Sequence, residues 1–425
     1  MGAEIYDELQ WRELIYQDSD TEGLRRLLAE GPQPLYCGFD PTADSLHIGS
    51  LVPLIGLRRF QLAGHRPIAL MGGGTGLIGD PSGRTAERGL NDKELVDTWV
   101  EKIRLQVEPF LDFSPGPFQA RLVNNYDWLS SLSAIEFLRD VGKHFSVNFM
   151  LAKESVRARL EQEGISYTEF SYMILQSYDF LHLADTYGCR LQVGGSDQWG
   201  NITAGIDLIR RCLSVEAYVL TFPLVTTSAG AKFGKTGTGT IWLSPKRTST
   251  YAFYQYFINV DDRDVIRFLK YFTFLTQEEI AALEGSSLEH AERREAQTRL
   301  AFEITALARG EAETLKVIRA SEALFGRGDL HDVDESTLGA ALASAPAADF
   351  GRGEEVPPLP VLLAKLGLVA STSEGRRTIT SGGAYINNRR VDDVEYRPRA
   401  EDFLHGRFLL LRRGKKSYGV ARLVD

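Results

Sequence analysis

Leu35-Tyr36-Cys37-Gly38-Phe39 runs into Asp40-Pro41-Thr42 and, after three more residues, into Leu46-His47-Ile48-Gly49-Ser50. The first five residues read as a short buried strand. Ser45 stands where it can cap a helix through Leu51, Leu54, Ile55 and Leu62 that ends near Gly64. Working outward, Pro67-Ile68-Ala69-Leu70-Met71 is a second strand and leads into a glycine-dense loop. Asn91-Asp92-Lys93-Glu94 then resembles a capping box, headed by an Asn, that opens another helix. Strands also fit 120–123, 190–193 and 218–222. Such alternation predicts an α/β fold with a Rossmann-like parallel sheet and ligands at the carboxyl ends of its strands.

From about Ser249 to Phe325 the text reads as helices only, with examples at 251–258, 262–271 and 289–309. Residues 326–356 are rich in Gly, Ala, Asp, Ser and Pro and read as a linker containing one short helix. A compact basic segment, 357–425, follows. The predicted division is therefore 1–245, ending in a lysine-bearing loop at 226–240, then 246–325, 326–356 and 357–425. At roughly 100–200 residues per domain, 425 residues accommodate this plan.

Composition narrows the function classes. With 43% hydrophobic and 25% charged residues, the chain resembles neither a disordered protein nor a fibrous one. It has no apolar run of about 18 residues, so no membrane span is expected. Glu4, Asp7 and Glu8 argue against a secretory or transit peptide at the amino terminus. Cys37, Cys189 and Cys212 lie far apart, which disfavours a disulfide framework or zinc site, and a cytoplasmic protein is expected. The net charge of −9 hides an asymmetry. Residues 357–425 hold 13 Lys and Arg against 7 Asp and Glu, a net of +6, leaving −15 for the rest. An acidic body with a basic end segment suits a polyanionic partner gripped by that segment, although small basic domains also occur without one.

Several motifs carry chemistry. At the turn from the first strand into the first helix, free N–H groups and the helix dipole favour phosphate. There His47 can donate to a phosphate oxygen and Gly49 permits close approach of a base or ribose. Either feature alone also describes a capped helix start with an incidental histidine. Gly74-Thr75-Gly76-Leu77-Ile78-Gly79 satisfies the dinucleotide fingerprint literally, but Pro81 falls where its helix should run. Gly230-Ala231-Lys232-Phe233-Gly234-Lys235-Thr236 has three residues between its glycines where a P-loop needs four. On its own terms this stretch suits a loop that brings two cations, Lys232 and Lys235, to a polyphosphate. Tyr172, Gln176 and Asp179 share one helical face, and Tyr36, Gly38 and Asp40 one strand face. Gly194-Gly195-Ser196-Asp197-Gln198-Trp199-Gly200 is a second polar loop after a strand.

Together these residues resemble those of the bacterial-type tyrosyl-tRNA synthetases, a class I aminoacyl-tRNA synthetase family, over essentially the whole chain. The resemblance rests on the 36–42 strand, His47-Ile48-Gly49-Ser50, Gly79-Asp80-Pro81-Ser82-Gly83, the 172–179 helix, the 195–201 loop and Lys232-Phe233-Gly234-Lys235-Thr236. It implies activation of L-tyrosine by ATP, accompanied by Mg2+, followed by transfer to tRNA(Tyr), in a homodimer with no dedicated protein metal site. By resemblance, Thr42, His47, Lys232, Lys235 and Thr236 act on the leaving pyrophosphate. Cys37, Gly38, Asp40, Gly49, Ser50, Gly195 and Asp197 match positions around ATP. Asp80, Tyr172, Gln176 and Gln198 match those around the amino group of tyrosine, while Tyr36 and Asp179 match the pair that binds its phenol. The helical 246–325 block would be an anticodon-side domain. Residues 357–425 resemble a small α+β S4-type RNA-binding domain, with Arg376, Arg377, Arg389, Arg390, Lys415 and Lys416 as phosphate contacts. Two departures stand out: Ser50 replaces a second signature His, and Lys-Phe-Gly-Lys-Thr replaces the broader class's Lys-Met-Ser-Lys-Ser. A tryptophanyl-tRNA synthetase would have no use for the phenol pair. A non-catalytic RNA-binding descendant would not need His47 and the lysines, and a nucleotidyltransferase would lack both RNA-binding appendages.

Overall fold

Every residue of the strand Pro34–Phe39 (β2) is buried except Gly38, as befits the interior of a parallel sheet. The structure, a computed structural model, describes residues 4–82, 89–161, 164–230, 233–236, 239–326, 328–414 and 417–424. It divides into two compact units, Met1–Thr248 with Val260–Ala308, and Ser249–Asn259 with Arg309–Asp425. No described helix is long and apolar enough to cross a membrane.

The first unit is built on a six-stranded sheet. Its strands are Gln17–Asp18 (β1), β2, Arg66–Met71 (β3), Arg121–Asn124 (β4), Leu191–Gly195 (β5) and Tyr218–Phe222 (β6). They lie in the order β1-β6-β5-β2-β3-β4, all parallel but β1. The strands expected from the sequence are thus present, their ends within two residues. Strand order reverses between β2 and β5, so a crevice opens where Phe39 and Gly195 end their strands. This is the switch point at which parallel sheets bind ligands.

Two predicted helix starts are corrected. The helix after β2 runs Leu51–Leu62 behind a 3₁₀ turn Ile48–Ser50, and His47 caps that turn, its Nδ1 accepting from Gly49 N at 3.0 Å. Ser45 does not cap; its hydroxyl donates to the Leu46 carbonyl and to Gln106 Oε1 instead. The helix Lys93–Val107 begins after Asp92 with no side-chain cap hydrogen bond, so the expected capping box does not form. The helix Tyr167–Tyr187 is well delimited. Ser166 accepts from Glu169 N at its start, and Gly188 ends it at φ 65°.

In the second unit, helices Thr250–Ile258, Glu311–Leu324 and Glu335–Leu342 pack together. A five-stranded sheet follows, made of Ala347–Gly351 (β9), Ala384–Ile386 (β10), Arg389–Arg390 (β11), Phe408–Arg413 (β12) and Ser417–Val424 (β13), with Lys235–Thr236 (β7) and Gly239–Thr240 (β8) forming a separate hairpin in the first unit. Its order is β11-β10-β12-β13-β9, antiparallel except where β9 runs along β13. Residues 326–356, read from composition as a linker, therefore contain a helix and a strand whose Phe350 lies in the core with Leu359, Leu363, Ile379 and Leu409. The helices Asp262–Phe272 and Glu295–Arg309 fall largely within the first unit.

Candidate active site

The crevice beside β2 has a buried end. Tyr36 is 1% exposed, and its hydroxyl has no hydrogen-bond partner among the described residues. Asp179, 2% exposed, faces the same interior from the helix Tyr167–Tyr187, and its charge contributes to raising the Tyr36 phenol well above its ordinary value, after burial itself. Asp179 accepts from Asn125 Nδ2 at 2.9 Å and Trp128 Nε1 at 2.8 Å. Burial still dominates and pushes its carboxyl up to about 7.

Asn125 continues the network, donating to Thr75 Oγ1 at 3.0 Å, and Thr75 donates to Asp40 Oδ1 at 2.7 Å. Asp40 Oδ2 accepts from the Tyr172 hydroxyl at 2.6 Å. A continuous chain thus links Tyr172, Asp40, Thr75, Asn125 and Asp179. The glycine-dense loop after β3 makes it possible, because a Cβ on Gly72 would fall 1.9 Å from Asp40 Oδ1. That loop holds only a 3₁₀ turn, Thr75–Leu77, and no dinucleotide-type helix follows among the described residues.

Nearer the surface, Gln198 Nε2 donates to Asp80 Oδ2 at 2.7 Å, and Asn201 Nδ2 reaches Asp80 Oδ1 at 3.3 Å. Half-buried Gln176 has an Oε1 without a partner among the described residues. The other end is open: Thr42, His47 and Asp197 are exposed, and Ser50 and Gly195 are half-exposed. Gly49 has a steric reason, since a Cβ there would lie 2.6 Å from the His47 ring that folds over it. The His47 segment pairs with the stretch after the lysine loop, with Ile48 N donating to the Ile241 carbonyl and Leu243 N to that of Leu46. Lys235 and Thr236 form β7 of the β7–β8 hairpin. Lys232 and Gly83 lie outside the described residues. Cys37 is buried, its thiol pushed up to about 12 by burial, so it stays neutral and is no nucleophile.

The family profile described as tRNA synthetases class I (W and Y) matches residues 29–326, and that of the Tyrosine–tRNA ligase SYY-like C-terminal domain matches 340–421. The chain is 54% identical to the Tyrosine–tRNA ligase of Nocardia farcinica, over 99% of both sequences. It is equally identical to that of Mycobacterium tuberculosis over the full length of both. The chain belongs to the tyrosine–tRNA ligases. A C-terminally truncated mitochondrial tyrosyl-tRNA synthetase of Aspergillus nidulans superposes with a TM-score of 0.70 at 30% identity, covering 76% of this chain and 94% of that one. A tryptophanyl-tRNA synthetase of Encephalitozoon cuniculi, at 14% identity and a TM-score of 0.53, shares the fold.

Within this tyrosine–tRNA ligase, sequence reading missed Thr75, Asn125, Trp128 and Asn201. The one local signal was Asn124-Asn125, two amides at the carboxyl end of β4, where a parallel sheet holds its ligands. In the second unit, Arg376 and Arg377 lie on the helix Thr372–Thr380 and Arg389 and Arg390 on β11, all four exposed. Two of these charges are partly spoken for, Arg376 pairing with Glu395 at 2.6 Å and Arg390 with Asp392 at 2.7 Å. Lys415 and Lys416 lie outside the described residues.

Proposed function

We propose that this chain activates L-tyrosine with ATP to tyrosyl-adenylate, releasing pyrophosphate, and passes the tyrosyl group to the 3′ end of tRNA(Tyr). The observation that carries the reading is the unpartnered Tyr36 hydroxyl, buried beside a carboxylate that two donors hold in place. An unsatisfied buried hydroxyl is costly unless a ligand completes it. A substrate phenol would accept from Tyr36 and donate to Asp179. Phenylalanine or tryptophan would leave the Tyr36 hydroxyl unpaired and would offer Asp179 no phenol donor.

At the half-buried middle, Asp80 would hold the substrate ammonium, with Tyr172, Gln176 and Gln198 around it. In the first half-reaction the tyrosine carboxylate attacks the α-phosphorus in line, and the bond from that phosphorus to the pyrophosphate oxygen breaks. No protein nucleophile is needed, so rate enhancement comes from orientation and from donors placed where charge develops. Thr42, His47, Lys232, Lys235 and Thr236 would supply those donors, while Gly38, Gly49, Ser50, Gly195 and Asp197 would border the nucleotide. Among the described residues no group of three His, Cys, Asp or Glu side chains could hold a metal ion. Mg2+ would travel with ATP, coordinated by phosphate and water.

The exposed arginines of the second unit would contact tRNA phosphates, the helical stretch 246–325 would serve the anticodon side, and the cytoplasm is the expected compartment. A homodimer is supported by Ile135, Leu138, Val147, Leu160 and Tyr167, large apolar side chains 49–71% exposed within one short stretch of chain. The decisive test is exchange of labelled pyrophosphate into ATP. It should depend on tyrosine and be far weaker with phenylalanine or tryptophan; no exchange with any amino acid would overturn the reading.

A further inference from the structure

The helix Asp262–Phe272 carries none of the residues assigned above, yet it is fastened to both phosphate-facing segments. In its first turn, buried Asp264 accepts from the Ser228 backbone N–H with both oxygens, at 3.0 and 2.9 Å. Its Oδ2 also accepts from Ser228 Oγ at 3.1 Å. Arg267, one turn on, donates through Nη2 to Asp264 Oδ1 and to the Thr226 carbonyl, each at 2.7 Å. Thr226 and Ser228 are exposed, so a buried charge holds the root of an exposed loop.

The same helix takes a second grip five residues further along that loop. Phe233 packs edge-on to Phe268 at 4.8 Å and stacked on Phe272 at 5.1 Å between ring centroids. Positions 264, 267, 268 and 272 form one helical face, and that face holds both 226–228 and 233.

The helix's far end is tied to the His47 side. Buried Arg59, on the helix that follows the His47 turn, donates to the carbonyls of Lys270 and Thr273. Arg12 donates to the carbonyls of Lys270, Thr273 and Leu275, and Glu8 accepts from both arginines. From Asp264 to Lys270 the helix spans six residues, a stiff spacer about 9 Å long at 1.5 Å per residue.

We propose that Asp264 and Arg267 are positioning residues for the use of ATP. The helix Asp262–Phe272 sets where Thr226, Ser228 and Phe233 stand relative to His47, and the Asp264–Arg267 clamp transmits that placement to the loop root. The inference rests on the functional reading above and assigns neither residue a contact with substrate. An anionic acceptor is required because the N–H and hydroxyl of Ser228 and the guanidinium all donate to it. An amide at 264 would turn a donor toward one of them.

The test uses the full chain, with tyrosine-dependent pyrophosphate exchange measured while ATP is varied and tyrosine binding measured separately by equilibrium dialysis without ATP. Asp264→Asn and Arg267→Gln should each lower kcat/KM for ATP about tenfold, the scale of one lost charge-assisted hydrogen bond. Tyrosine affinity should stay unchanged, and Arg267→Lys should restore part of the loss. Arg267 is partly exposed, so its variants carry the test even where Asp264→Asn fails to fold. Unchanged ATP parameters in the Arg267→Gln variant, or tyrosine affinity falling in step with them, would overturn the proposal. Absence of exchange in the unaltered chain would overturn the functional reading itself, a result distinguishable from loss in the variants alone.

Discussion

Asp179 and Tyr172, 2% and 5% exposed, stand within one hydrogen-bond network beside Tyr36, 1% exposed, whereas Thr42 and His47, at the other end of the same crevice, are exposed on a turn. The buried end is desolvated before any ligand arrives, so each polar atom there is either matched or costly. On the proposed reading the open end would admit and release a polyphosphate, and its groups face water. The buried end is suited to choosing between amino acids, and the open end to stabilising charge that appears only during reaction.

Substitutions should separate along this line. The largest effect is expected for Asp179→Ala, which removes the acceptor of the substrate phenol and strands its former donors Asn125 and Trp128. Its kcat/KM for tyrosine should fall by about 10³-fold while the KM for ATP is little changed, measured by exchange at varied tyrosine and varied ATP. His47→Ala should do the converse, lowering kcat for exchange by about 10²-fold with tyrosine affinity intact in equilibrium dialysis. Tyr36→Phe removes one neutral donor and should cost about tenfold in tyrosine kcat/KM, narrowing the preference over phenylalanine. Equal effects on tyrosine and ATP parameters in these variants would erase the contrast between the two ends.

The smallest effect concerns pH. Because the folded Asp179 carboxyl is pushed up to about 7, the folded chain keeps its proton at pH values where the unfolded chain has lost it. The group therefore favours the folded state least once ionised, and stability falls as pH rises from the ordinary carboxylate range through about 7. The melting temperature should drop between about pH 5 and about pH 8 relative to that of Asp179→Asn, which has no charge to bury. Tyrosine affinity should rise severalfold over the same interval, as the acceptor for the phenol ionises. A flat profile for both quantities would show that Asp179 is solvated rather than buried.

Much of this architecture was legible in local text. A buried parallel strand must be apolar on both faces, so β2, β3, β5 and β6 announced themselves, and helical spacing placed Tyr172, Gln176 and Asp179 on one face. The cap at Ser45 and the box headed by Asn91 were misread because a side chain's local option competes with distant ones; Ser45 bonds Gln106, 61 residues away. The clamp on Asp179 was invisible for the same reason, its donors lying 54 and 51 residues upstream. Asp40 likewise reads as a residue near a nucleotide, yet its carboxylate bonds the Tyr172 hydroxyl 132 residues on. The stretch 326–356 looked like a linker because its composition is that of a loop, while the pairing of β9 with β13 depends on a strand some 70 residues later.

The sequence by itself determined the alternation of strands and helices, the resemblance on which the proposed phenol and polyphosphate residues rest, and the basic character of the last 69 residues, since periodicity, residue chemistry and charge are local properties. Only the tertiary structure decided which of those groups are desolvated, which carboxylate is locked by Asn125 and Trp128, and which helix holds the lysine loop by its root. Those outcomes depend on the dielectric and the partners that folding brings together, and no stretch of chain carries that information alone.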